Sequence, residues 1–588
     1  MLAFMSQSCA NMGSGPSGGY ADSIPPSMLE SNPKYGAVNF SGNKVTLTFD
    51  EYITLSNAAK KVVVSPTQTI PPIVKGIGKK VTVELKDSMI PNTTYSINFG
   101  NAIVDNNESN PIEDFYFSFS TGPVLDTMSI YGTVLDARTL APMKEVYVGV
   151  YSNLSDTIFG KEKMERIALT DADGKFAMYN LQAKPYRLYA LADANANSYF
   201  DVPTEAIAFQ MESLQPAMSE KVVVDTFYTD SMTISKIENR VCRRYYPDSI
   251  VLMMFNEEVK QQLFVKHERK EADKLHVYFK NYNKLMPTLN PLNFSNKDWS
   301  VVEPSVTKDT ILYWVKDTLL AKMDTLLFTM DYQKFDSLGE LVPAQDTLAF
   351  TYINPAKKTT RRRKKQEART FLAVESFVSL LEWNEAPILR WVKPVESFGN
   401  GQFKIQEKQD TIWVDVEASV SPVENSGNRA FKFDMKIDPE KRYRLLIDSA
   451  MVNSASGLHN DKEEWPFRRK GDDDYVKLVL HTKNAPANAV VEATVRNNTK
   501  QTVKLNANGD AVFEKLSPAT YIVRMFEDRN GDGKWTTGNY AEKRVPEQVY
   551  YYSKPLVLKQ GWDQEEDWDV TEKPFTEQAP KVEKKKKR

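Results

Sequence analysis

Between residues 45 and 119 apolar side chains fall on alternate positions in four short runs: Val45, Leu47 and Phe49; Val81, Val83 and Leu85; Tyr95, Ile97 and Phe99; Phe115, Phe117 and Phe119. A period of two places those side chains on one face of a strand and the intervening polar residues on the other. Turn formers such as Ser41-Gly42-Asn43 and Pro91-Asn92 separate the runs, the rhythm of an antiparallel β-sandwich. A further step recurs along the chain. Phe49-Asp50-Glu51, Phe255-Asn256-Glu257 and Trp383-Asn384-Glu385 each close an apolar run, and a later strand follows each at 94–97, 325–328 and 443–446.

A second repeat keeps its spacing over twenty residues. Gly174, Leu181, Tyr186 and Asp193 match Gly509, Leu516, Tyr521 and Asp528, and an aromatic follows each Asp at one offset, Phe200 or Trp535. Agreement of this kind between distant segments marks a duplicated module. Together the patterns predict an all-β chain, a tandem array of antiparallel β-sandwiches.

Two resemblances give the modules a type. Asp22-Ser23-Ile24-Pro25-Pro26, the Phe49-Asp50-Glu51 step, the strand around Tyr95 and the closing Phe117-Ser118-Phe119-Ser120-Thr121 resemble the bacterial Ig-like domain first described in S-layer proteins. The likeness covers 23–121; 235–355 and 370–482 resemble it more distantly and lack the double proline. Ile130-Tyr131-Gly132-Thr133-Val134, Asp171-Ala172-Asp173-Gly174 and the Leu181-to-Tyr186 step resemble the prealbumin-like, or carboxypeptidase regulatory-like, sandwich over 128–228. The same type returns over 483–572, with Ala493-Thr494-Val495 in place of the Gly-x-Val opening. The implied order is Ig-like, prealbumin-like, Ig-like, Ig-like, prealbumin-like. A flexible segment (1–22), a basic linker (356–369) and a basic disordered tail (573–588) complete it.

Length and composition agree with several folded units. The 588 residues exceed one hydrophobic core, and 41% hydrophobic with 26% charged residues is a globular composition. A net charge of -2 supplies no global attraction for nucleic acid. The runs Arg361-Arg362-Arg363-Lys364-Lys365 and Lys584 to Arg588 lie between or after the predicted sandwiches and read as solvated charge. Only Cys9 and Cys242 are present, too few for a disulfide scaffold. Cys9, after a short apolar patch and before a Gly/Ser-rich stretch, resembles the lipidated cysteine at the end of a bacterial lipoprotein signal. That resemblance implies a membrane anchor at Cys9 and an outer-membrane location. The alternative is an incidental cysteine in a terminal segment. Cys242 is then a lone thiol, more naturally a small core residue than a nucleophile.

Candidate chemistry is sparse. Asp528, Asn530 and Asp532, followed by Gly533, resemble the start of an EF-hand loop, since Ca²⁺ takes several oxygen ligands on a tight turn. The twelfth position, however, is Asn539 rather than a bidentate Glu. The first copy offers Asp193, Asn195, Asn197 and Asp201. A turn held by local Asx hydrogen bonds explains the same residues, so both readings stand, with Ca²⁺ the one cofactor to consider. His267, His276, His459 and His481 form no H-E-x-x-H pair, and no nucleophile elbow, phosphate loop or dinucleotide fingerprint occurs. Tyr245-Tyr246, Tyr550-Tyr551-Tyr552, Trp562 and Trp568 could stack on sugars, but adjacent tyrosines in a strand face both sides, which favours a structural role. The expected function is a non-catalytic adhesion, scaffold or assembly lipoprotein of the cell envelope. Its partners would be envelope proteins or glycans. The alternatives are a glycan-binding protein of a polysaccharide-uptake system, or an envelope enzyme with an unrecognised carboxylate pair.

Overall fold

A computed structural model describes residues 23–194, 197–201, 204–228, 234–258, 262–281, 285–336, 341–353, 371–399 and 403–579. Cys9, Asn195 and the linker 356–369 lie outside the described residues. The chain is all-β, with helices of no more than five residues among those described, and no helix there is long and apolar enough to cross a membrane.

The alternation read from the sequence becomes the first module. Strand Lys44–Phe49 buries Val45, Leu47 and Phe49 completely while its other residues face outward. It sits in a sheet ordered Met28–Asn32, Lys44–Phe49, Lys80–Glu84, Ile73–Ile77, which packs on a second sheet of Val63–Ser65, Thr94–Gly100 and Phe115–Ser120. The third module repeats that order with Phe264–Glu271, Lys274–Phe279, Thr310–Val315 and Ser300–Pro304 over Thr288–Pro291, Thr325–Phe335 and Leu341–Thr351. So does the fourth, with Val374–Phe377, Ile388–Trp391, Ala430–Asp434 and Ser419–Pro422 over Lys404–Gln409, Tyr443–Ile447 and Glu463–Arg469. A small device recurs at one strand start. Tyr95 Oη accepts Ile90 N–H at 2.9 Å and Tyr443 Oη accepts Asp438 N–H at 3.0 Å, each with a proline directly after the donor. This is the logic of a tyrosine corner, in which a buried ring carries a polar tip that ties down the preceding turn.

The second and fifth modules share another order. In the second, Lys175–Leu181, Met128–Asp136 and Ile250–Met254 form one sheet; Arg166–Leu169, Tyr147–Tyr151, Arg187–Leu191 and Ile207–Phe209 form the other. In the fifth, Asp510–Leu516, Val476–Lys483 and Gln564–Asp569 face Asn498–Lys504, Ala489–Val495, Thr520–Glu527 and Val549–Tyr551. In both copies the last strand runs parallel to the central one.

These pairings move several expected boundaries. Ile250–Met254 completes the second module, so that module does not end at 228 and the third does not begin at 235. Between lies an antiparallel ribbon, Ala217–Tyr228 with Ile234–Tyr246, whose Val222, Val224 and Val241 are more than half exposed. Its β-branched run Val222-Val223-Val224 favours a strand, and no core covers Val222 or Val224. The fifth module takes Val476–Lys483 as its central strand, the true counterpart of Met128–Asp136. Ala493-Thr494-Val495 instead belongs to the strand equivalent to Tyr147–Tyr151. The Phe/Trp-Asx-Glu steps are not equivalent either. The first follows the second strand of its module, the second ends the last strand of the duplicated sandwich, and the third lies between Leu380–Leu381 and Ile388–Trp391. At the expected tail, Phe575–Gln578 is a helix, and the Gln578 side chain accepts Tyr551 N–H at 3.2 Å and donates to Val570 O at 3.1 Å.

Neighbouring modules are pinned by buried polar groups. Arg166, 5% exposed, reaches from the second module to Thr94 O at 2.6 Å, and elsewhere on the same joint Tyr116 and Tyr179 stack at 4.0 Å. Glu303 of the third module receives Arg429 Nε at 2.8 Å, Arg390 Nη1 at 3.0 Å and Trp314 Nε1 at 2.8 Å. Burial pushes the Glu303 carboxyl up, but hydrogen bonds from Arg429 and Trp314 and the charges of Arg429 and Arg390 outweigh it and hold it below the usual carboxylate value. Between the fourth and fifth modules, Glu382 accepts from Tyr475 Oη at 2.8 Å and Lys470 Nζ at 2.5 Å.

Candidate functional site

The repeated frame builds the same local structure twice. Gly174 and Gly509 take φ values of +73° and +82°, a region that suits glycine, and close hairpin turns capped by Asp171 and Asn506. Those side chains accept Lys175 N–H at 2.8 Å and Asp510 N–H at 2.9 Å. Leu181 and Leu516 end the strands inside the two cores. Tyr186 and Tyr521 are at most 2% exposed, and each hydroxyl bonds the backbone four residues upstream, to Gln182 N at 3.3 Å and Ser517 O at 2.8 Å.

The candidate Ca²⁺ ligands follow in the chain, and the described oxygens of Asp528, Asn530, Asp532 and Asp193 accept from backbone N–H groups. Asp528, 2% exposed, accepts Gly531 N–H at 2.8 Å and Gly533 N–H at 3.0 Å. Asn530 Oδ1 accepts Asp532 N–H and Asp532 Oδ1 accepts Lys534 N–H. In the first copy Asp193 accepts Asn197 N–H at 3.3 Å and Ser198 N–H at 2.8 Å, while Asn197 Nδ2 bonds Asp201 at 2.8 Å. Such nested turns account for the Asx composition locally, and among the described residues no group of three or more His, Cys, Asp or Glu is placed to hold a metal ion.

A pair of buried glutamates completes this element and was not foreseen. Glu205 Oε1 accepts Ala194 N–H at 2.9 Å, and Glu547 Oε1 accepts Arg529 N–H at 2.8 Å, in each case from the residue after the Asp of the repeated frame. The carboxylates do the same task, yet Glu205 lies 12 residues after Asp193 and Glu547 lies 19 after Asp528. The additional residues of the fifth module carry its contact with the second. Tyr540 points edge-on into a cluster of Phe159, Tyr189, Phe200 and Phe209, with ring centroids at 5.5, 6.1, 6.3 and 5.5 Å. Its hydroxyl donates to Asp156 O at 2.5 Å, and its N–H donates to Glu257 Oε1 at 2.5 Å. Burial, then the bond with Tyr189, pushes the phenol well above its ordinary value, so it stays a neutral donor. Gly538 packs against the Phe255 ring so closely that a Cβ would sit 2.4 Å from it. On the other side Leu140, held at φ +53° and 1% exposed, enters a cluster with Val490, Phe526, Val549 and Tyr551. Arg138 lies 5.5 Å over Trp535. The last module therefore docks on the second, and the chain closes on itself instead of extending as a string.

Closure creates a cleft of about 880 Å³ where the first, second and fifth modules meet. Its floor is the outer face of the Met128–Asp136 sheet, presenting Tyr131, Thr133, Tyr179 and Val251. One wall carries Asn98, Asn101, Glu113 and Asp114; the other carries Tyr550, Lys573 and Phe575. Tyr131 and Tyr179 meet edge to face at 6.0 Å, and burial pushes the Tyr179 phenol up to about 12. The remaining aromatic candidates divide. Tyr551, Tyr552 and Trp568 are core residues, Tyr245 and Tyr246 are partly buried at the ribbon base, and Trp562 is 75% exposed. Cys242 is partly buried on the ribbon rather than in a core. Among the four histidines, His481 pairs with Asp510 at 2.8 Å, and none belongs to a group placed to hold a metal ion among the described residues.

The fold defines the class: an all-β protein of tandem sandwiches. Residues 22–121 match the bacterial Ig-like domain family. Solved structures similar to parts of the chain include the N-terminal part of the bacterial S-layer protein SbsC, at 12% identity and TM-score 0.13, covering 32% of this chain and 40% of that one. The major pilin subunit BcpA of Bacillus cereus is 10% identical with TM-score 0.12, covering 76% and 99%. An L,D-transpeptidase from Mycobacterium smegmatis is 13% identical with TM-score 0.13, covering 28% and 79%. This chain thus spans less than half of the S-layer fragment. No curated protein matches it.

Proposed function

We propose that the protein is a non-catalytic adhesion, scaffold or assembly component of a bacterial cell envelope, held to the outer membrane through acylated Cys9. The observation that carries this reading is the interlock. Every joint described above is built from buried arginine, glutamate or aromatic contacts, and the Tyr540 loop fastens the last module to the second. A chain that invests side chains in fixing five sandwiches relative to one another holds a surface in place. The match of 22–121 to a bacterial Ig-like family supports an envelope setting.

Two measurements test the proposal. Crosslinking in intact envelopes, followed by affinity purification of the full chain, recovers defined envelope components at fixed ratio; recovery of the chain alone in the soluble fraction contradicts it. Labelled palmitate incorporates into the full-length precursor and is lost with Cys9→Ala, whereas absence of label in the parent chain removes the anchor.

A further inference from the structure

The cleft between the first, second and fifth modules has a lining whose chemistry selects a ligand. Its floor is not a free sheet edge: Met128–Asp136 is central, paired on both sides by Lys175–Leu181 and Ile250–Met254. An extended peptide finds no unpaired backbone there to extend. The floor offers side chains, the rings of Tyr131 and Tyr179 and the 37%-exposed Val251, with the Thr133 hydroxyl between them. Around them stand planar polar groups, the amides of Asn98 and Asn101 and the exposed carboxylates of Glu113 and Asp114, neither of which forms an ion pair among the described residues.

Charge excludes other polymers. Four carboxylates, on Glu113, Asp114, Asp171 and Asp248, face three ammonium groups, on Lys61, Lys175 and Lys573, so no field is present to attract a polyanion or an anionic headgroup. A ligand that is flat and apolar on one side, ringed with donors and acceptors at its rim and without net charge meets each part of this lining. The volume also falls within the ~300–1,000 Å³ of ordinary ligand clefts.

We infer that this three-module cleft is a binding site for a neutral oligosaccharide, whose apolar ring face lies against Tyr131, braced edge to face by a Tyr179 that is itself stacked on Tyr116, and whose hydroxyls bond Asn98, Asn101, Glu113 and Asp114. The inference rests on the closed arrangement, because the fifth module supplies one wall.

Isothermal titration of the full chain with maltohexaose, mannohexaose and chitohexaose tests it. At least one saturates at a single site. Val251→Arg, which fills the floor from an exposed position, and the surface pair Glu113→Gln with Asp114→Asn each weaken it by about tenfold or more. Trp562→Ala, an exposed aromatic outside the cleft, leaves it unchanged. No saturable heat with any of the three at about 5 mM, or binding that survives Val251→Arg, overturns the inference. A spin-label distance between the second and fifth modules separates the two claims. A closed distance without binding removes only the cleft ligand, whereas an open distance removes the cleft itself.

Discussion

The second and fifth modules have one strand order, one glycine turn, one buried tyrosine anchor and one Asp–Glu loop clasp, yet only the fifth has the seven further residues that carry Tyr540. The second has instead the ribbon Ala217–Tyr228 with Ile234–Tyr246, where the fifth passes from Tyr551 to Gln564 through the short strand Leu556–Val557. After duplication the shared parts remained those that each sandwich needs in order to fold, and the differences fell in connections between strands. One such difference lets the later copy grip the earlier one. Loops on a fixed scaffold are free to acquire contacts because their length is not set by the core.

The largest expected effect tests what the copies share. Tyr186→Ala and Tyr521→Ala each remove a fully buried ring and its turn bond, and each lowers the stability of its own module by about 3–5 kcal/mol, read as a shift of one calorimetric transition. Unequal losses, with one near zero, would break the equivalence of the frames. Next, Glu303→Ala leaves Arg429 and Arg390 facing a buried gap at the third–fourth joint and costs about 3–5 kcal/mol. The joint is also acid-sensitive. Because the folded-state carboxyl of Glu303 is held below its ordinary value of 4.5, its contribution is whole above that pH and is lost as the pH falls through the lower folded value. A joint equally strong at pH 3 and pH 7 contradicts this.

Tyr540→Ala has a smaller effect, about 2–3 kcal/mol from the lost edge-on ring contacts, and it acts on the docking of the fifth module while leaving both cores folded. Asp193→Ala and Asp528→Ala each cost about 1–3 kcal/mol by orphaning two backbone N–H groups, and urea titrations give the same loss with or without millimolar Ca²⁺. A loss seen only in the presence of Ca²⁺ would restore the metal reading. Replacing the ribbon from 218 to 245 by a two-glycine turn changes the melting temperature of the second module least, since its valines face solvent.

How far the sequence foretold this differs between fold and site. The buried face of strand Lys44–Phe49 and the Gly–Leu–Tyr–Asp frame were legible because period-two burial and positive-φ turns write themselves into residue type. The module boundary near 235 was not, because a strand that completes one sandwich and a ribbon that extends from it have the same β-rich composition, and only the pairing of Ile250–Met254 with Met128–Asp136 separates them. The Asp and Asn cluster was legible as a tight loop, but composition does not distinguish oxygens aimed at a metal from oxygens aimed at the backbone. The equivalence of Glu205 and Glu547 was hidden by the unequal spacing, and Tyr540 looked like any loop tyrosine because its hydrogen-bond partners lie 283 and 384 residues earlier. One signal was available: Ile90-Pro91 before Tyr95 and Asp438-Pro439 before Tyr443 mark the same corner.

Closure of the chain through Tyr540 is measured most directly by pulsed electron–electron resonance between labels at Lys161→Cys and Glu542→Cys, in a background lacking Cys9 and Cys242. These sites lie two residues from Phe159 and Tyr540, whose ring centroids are 5.5 Å apart. Docked modules give one narrow distance under about 30 Å, broadened by Gly538→Val, which drives a side chain into Phe255. A broad distribution at long distance in the parent chain, unaltered by Gly538→Val, would show that the two modules do not dock.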